Sequence, residues 1–120
     1  MNPLAIRSRV IEQLGLLSSE LAQRRYEQNV PMVSVPNELA CGWFDDAYHP
    51  DWLDFRQAFS RTELDALAKF SAVFDSMIDS MPSTVERLVK LPKWREVVAE
   101  AAIALAVLER SLRIESSPDA

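Results

Sequence analysis

One cysteine, Cys41, one histidine, His49, and two glycines, Gly15 and Gly42, are all that 120 residues contain of these three types. A lone cysteine excludes an internal disulfide and the usual cysteine-based zinc site. A lone histidine excludes the paired-histidine signatures of metallohydrolases. Two glycines are too few for a turn-rich β-sandwich, and they form neither a phosphate-cradling loop nor a Gly-x-Ser-x-Gly nucleophile elbow. Long hydrophobic runs are missing too. The most apolar stretch, Val97 to Leu108, contains Glu100 and falls short of the ~20 apolar residues that a membrane helix needs. Arg7, Arg9 and Glu12 stand where a secretory leader would be apolar. A cytoplasmic protein without membrane association is therefore expected.

Positive charge is also scarce. Thirteen basic residues face eighteen acidic ones, a net charge of −5. The imbalance is local: Glu38 through Glu86 holds ten acids against three bases, a balance of −7, and the remainder carries eight acids and ten bases, or +2. Such a segment repels phosphate backbones and attracts a basic protein or a cation. No nucleic-acid partner is expected, and a basic protein partner is.

What is present is helical periodicity in a chain that is 48% hydrophobic and about the size of one domain. These features predict a single all-α domain over 1–120. The expected architecture is a compact bundle of about four to six helices, two or three of them long. Asn2 caps and Pro3 opens a first helix to about Glu27, with Ile6, Val10, Leu14, Leu17 and Leu21 on one stripe. Gly15 within it would suit close approach of another helix. Prolines at 31 and 36 predict an extended connector over 30–36. Ser34 or Val35 then leads into a short helix carrying Leu39, Ala40, Trp43 and Phe44, which His49-Pro50 ends.

Asp51 reads as the N-cap of the next short helix, with Asp54 three residues on. Trp52, Phe55 and Phe59 would share its face. Ser60 and Glu63 form the clearest capping box, opening a helix to Met81 along Leu64, Leu67, Phe70, Phe74 and Met77. Ser83 and Glu86 repeat that pattern for a brief helix. Pro92 starts the last one, which runs to about Ile114 with its seam at Trp94, Val97, Val98, Ala101, Leu105, Leu108 and Leu112. Being apolar on nearly every face, it should be enclosed by other helices, while residues 115–120 form a frayed tail.

Asn37 to Phe59 concentrates the chemistry: two of three tryptophans, the histidine, the cysteine and four aspartates. Asp45, Asp46, His49, Asp51 and Asp54 have the donor types for a divalent cation. Their spacing matches no ligand motif, since an EF-hand loop counted from Asp45 would place Pro50 and Arg56 where glycine and a carboxylate belong. No metal and no cofactor is expected. Cys41 should pack against Leu39 and Phe44 as an inert small hydrophobe. Glu96 and Glu100, one turn apart on the last helix, should pair on the surface with Lys93 or Arg95.

Capping and packing leave Trp43, Asp45, Asp46, Tyr48 and His49 as the candidate partner-binding residues. Aromatic anchors beside acids can take up a partner's Arg or Lys. The expected function is a small acidic non-enzymatic binding protein that docks a basic protein partner, immunity- or antidote-like or an adaptor. A self-associating helical protein, as a homodimer, and a small divalent-metal hydrolase using Asp45, Asp46 and His49 are the alternatives. A docking surface requires Trp43 or Trp52 to be exposed.

Overall fold

The computed structural model describes residues 2–116, and its described residues form an all-α globule without strands. Seven α-helices follow one another: α1 (Pro3–Leu17), α2 (Glu20–Asn29), α3 (Val35–Cys41), α4 (Leu53–Gln57), α5 (Arg61–Asp75), α6 (Val85–Leu88) and α7 (Pro92–Ser116). A π turn, Gly42–Ala47, continues α3, and a 3₁₀ turn, Ile78–Ser80, follows α5. The three long helices are α1, α5 and α7, and α7 is the axis along which the other two pack. Helix α7 runs through Glu115 and Ser116, beyond the expected end. The side chain of Leu112 and residues 117–120 lie outside the described residues.

The expected first helix is two. Its stripe Ile6, Val10, Leu14 and Leu17 is buried, but the chain breaks at Ser18 and restarts with Ser19 as N-cap of α2, the hydroxyl accepting from the Ala22 amide. Leu21, which continues the stripe on paper, is 60% exposed. The break lets Gln23 fold back, fully buried, against the end of α1. Its Nε2 donates to the Leu16 and Leu17 carbonyls at 3.0 and 3.1 Å, and its Oε1 accepts the Trp94 indole N–H at 3.0 Å. Two of the carbonyls that every helix C-terminus leaves without an intrahelical partner are thereby satisfied. Gly15 has open space, not a neighbouring helix, where a Cβ would project.

Several boundaries shift by a residue or two. The connector is shorter than expected, because Val35 and Pro36 already belong to α3 under the Ser34 cap. Helix α4 has Trp52, not Asp51, at its N-cap position, because the Trp52 amide donates to His49 O at 3.1 Å and closes a tight turn through Pro50 and Asp51. Helix α5 stops at Asp75, six residues short of Met81, where the Ser76 hydroxyl turns back on the Val73 carbonyl at 2.6 Å. Thr84, not Ser83, caps α6, and the acid that completes this cap comes from elsewhere: Glu27 of α2 accepts the Val85 amide at 2.7 Å. Helix α7 is not enclosed on all sides, since Ile103 is 53% exposed.

The capping box at Ser60 and Glu63 is present, and it carries more than a helix start. Arg7 of α1 forms a bidentate pair with the Glu63 carboxylate at 2.8 and 2.9 Å, donates to the Ala58 carbonyl and lies over the Phe59 ring. The Glu63 side chain is only 3% exposed. Burial alone would push its carboxyl up. Hydrogen bonds from Arg7 and the Ser60 amide, with the Arg7 charge, outweigh burial and hold it below its ordinary value of 4.5.

Two outcomes are expected from these polar links. Gln23→Leu strands the Trp94 indole N–H and takes a donor from each of the two α1 carbonyls, of which that of Leu16 keeps the Ser19 amide, and urea unfolding should show a loss of about 3 kcal/mol. For Glu63, a folded pKa below the unfolded one gives stabilisation that is complete above the ordinary carboxylate range and lost as pH falls through the folded value. The urea midpoint of the wild type should therefore fall as the pH drops below the ordinary carboxylate range. Glu63→Gln should start about 3 kcal/mol less stable at neutral pH and show a flatter acid limb.

Candidate functional site

The site is built on the π turn. Gly42 is buried against α1, and a Cβ there would fall 2.7 Å from Gln13 Oε1, so the absent side chain lets the turn sit close to α1. The Tyr48 amide donates to Trp43 O at 2.8 Å, five residues back. In an α-helix residues five apart lie about 140° apart around the axis. The wider turn instead stacks Trp43 and Tyr48 with ring centroids 5.4 Å apart and planes within 9°. Trp43 is fully buried, its indole N–H donating to Ser71 Oγ at 3.0 Å and its ring meeting Phe70 edge-on. Burial pushes the Tyr48 phenol up, partly offset by a hydrogen bond with Ser71, and the nearby Asp51 charge adds to the rise.

The five residues singled out by sequence thus divide. Trp43 is a core residue and Tyr48 is half-buried on top of it, so Trp43 offers no surface to a partner. Asp45 and Asp46, on the opposite side of the same turn, face solvent, and half-buried His49 follows them. These three line one cleft of about 270 Å³ together with Ile6 and Arg9 of α1, Ala47, Trp52 and Phe55. Ile6, Ala47 and Phe55 make its floor apolar, since all three are buried.

Trp52 is the residue that pattern reading misplaced. It was expected on the buried face with Phe55 and Phe59, which are indeed buried, yet it is 50% exposed. One face of its indole rests on the His49 imidazole, centroids 3.7 Å apart and planes within 8°. Arg9, which no local pattern singles out, supplies the α1 wall. Its proximity to the π turn is a long-range contact with no local signal.

Asp45 also borders a second groove, of about 390 Å³, with Asn37, Cys41, Phe44 and Asp75. Cys41 is half-buried there, less covered than expected. Burial pushes its thiol up, and the Asp45 charge, a hydrogen bond to Asp45, and the charges of Glu38 and Asp46 add to the rise. A thiol held protonated is a poor nucleophile. Among the described residues no group of three or more His, Cys, Asp and Glu side chains is placed to share a metal ion. No helix is long and apolar enough to cross a membrane among the described residues. Glu96 pairs with Lys93 at 3.3 Å, and Glu100 reaches Lys69 of α5 at 3.8 Å.

Comparison of the chain with protein-family models, with curated proteins and with solved structures gave no match. The functional reading therefore rests on the geometry of the cleft. For the thiol, a disulfide reagent should label Cys41 more slowly at pH 7.5 than it labels a free cysteine. Asp45→Asn should quicken the reaction by removing the nearest charge that disfavours the thiolate.

Proposed function

We propose that this is a small, acidic, non-enzymatic binding protein that docks a basic protein partner, acting in the cytoplasm as an antidote-like inhibitor or an adaptor. One observation carries the reading: the cleft between α1 and the π turn gathers Asp45, Asp46, His49 and a half-exposed Trp52 over an apolar floor. Tryptophan is enriched in recognition hot spots, and carboxylates beside it complement the charge of a basic partner. The rigid helical walls mean that little of the surface has to be ordered on binding.

The charge of the surrounding segment supports the same direction. Asp45 and Asp46 face solvent within a stretch whose balance is −7, so a basic partner is drawn toward this end of the molecule. Neutralising or reversing these two charges should slow association, and removing the indole should speed dissociation.

Affinity capture with three versions of the protein tests the proposal: wild type, Asp45→Lys with Asp46→Lys, and Trp52→Ala. A basic protein should be enriched by the wild type and lost with both variants, each of which should melt within a few degrees of wild type because the altered side chains are exposed. Retention of every captured protein by the charge-reversed variant would remove the cleft from the function.

A further inference from the structure

We infer that the cleft reads an arginine side chain of the partner, in preference to lysine, with its guanidinium laid on Trp52 and its fork turned toward Asp45 and Asp46. The inference rests on the docking reading above and names the group that fills the site. A guanidinium is planar, is weakly hydrated for a cation, stacks on aromatic faces and matches carboxylate geometry with two parallel N–H donors. An ammonium on a flexible stem can satisfy only the charge.

Each requirement has a counterpart in the cleft. The flat face is Trp52, half-exposed, with His49 stacked behind it at 3.7 Å so that the indole is already held in one orientation. The carboxylates are Asp45 and Asp46, on a turn whose backbone is fixed from below by the buried Trp43. The apolar floor suits the three methylene groups that precede a guanidinium, which bury readily while the head stays polar. A cleft of about 270 Å³ is of side-chain size, not the size of a whole helix.

Arg9 narrows the choice further. Exposed on the opposite wall, it places a positive charge in the same cleft. A run of several cations would meet it as a like charge. A single arginine followed by an acceptor, a carboxylate or a main-chain carbonyl, would give Arg9 a partner as well. The site is thus suited to one arginine in a mixed-charge segment, not to a polybasic tail.

Nuclear magnetic resonance on the full chain tests this with two defined probes, N-acetyl-arginine amide and N-acetyl-lysine amide. Each of the three tryptophans contributes one indole N–H signal. Those of Trp43 and Trp94 are buried and bonded to Ser71 and Gln23, so they report an intact fold and should not move. The Trp52 signal should shift with the arginine probe and saturate at about tenfold lower concentration than with the lysine probe. In Trp52→Leu, followed through the backbone amides of Asp45 and Asp46, the two probes should become equivalent. Asp45→Asn with Asp46→Asn should weaken both. Equal saturation by the two probes in the wild type would overturn the arginine inference while leaving a basic partner in place. A Trp52 signal that neither probe moves would also overturn it, and the docking reading would then stand or fall on capture by the charge-reversed variant alone.

Discussion

Two fully buried indoles set a constraint on the rest of the fold, because each carries an N–H that must find an acceptor away from water. Trp94 on the central helix α7 finds Gln23, and Gln23 can reach it only because α1 breaks at Ser18 and α2 folds back. With its amide nitrogen on the α1 carbonyls and its oxygen on α7, one fully buried glutamine ties three helices together. The direction of α2 follows from that bond, and with it the position of Glu27 over the start of α6. The α1–α2 corner, the α6 cap and the docking of α7 therefore form one connected polar arrangement inside an apolar core.

Trp43 imposes the same demand at the other end and meets it with Ser71 of α5. Here the consequence reaches the surface. Holding Trp43 inward and Tyr48 stacked on it uses the wide π turn, and the intervening Asp45 and Asp46 are left pointing outward. π segments are rare and concentrate at functional places, since an inserted residue re-aims side chains without breaking the helix. The acidic lip of the cleft and the aromatic plug beneath it are two sides of one turn. Repacking Trp43 would move the carboxylates even though its own side chain does not line the cleft.

How far the sequence reached depended on whether the controlling interaction was local. The caps at Asn2, Ser34 and Ser60, and the proline starts of α1 and α7, rest on partners within three residues, and all are present. The break at Ser18 was hidden because spacings of three and four run unbroken through Leu14, Leu17 and Leu21, and a buried glutamine in α2 gives no periodic signal. Ser83 and Glu86 imitate a capping box, but Glu27, far off in sequence, takes the role of the acid. Trp52 fits the Phe55 and Phe59 face by count alone. The turn through Pro50 puts it at the N-cap position, outside the helical register, where it turns to His49 instead. For the cleft, the sequence pointed to Asp45, Asp46 and His49, and to Trp52 only as one of two tryptophans that had to be exposed, but not to Arg9, because a cleft wall supplied by another helix has no signature in the segment itself.

Arg7 and Arg9 show how one helix divides its charges between the interior of the fold and the proposed docking cleft. Two residues apart, they point about 160° from each other around α1. Arg7 turns in and is consumed by Glu63, so one acid of the negative segment is neutralised within the fold and secures α1 to α5. Arg61 pairs with Asp65 along α5, and Lys90, just past α6, pairs with Glu86 in the same way, at exposed sites where such pairs contribute little. The net charge of the segment therefore overstates what a docking partner would meet. The part that matters is the pair of carboxylates on the π turn, opposed across the cleft by Arg9. That opposition argues for selectivity over strength. A surface of one sign would hold any cation, whereas two signs about a flat indole favour a particular side chain in a particular setting.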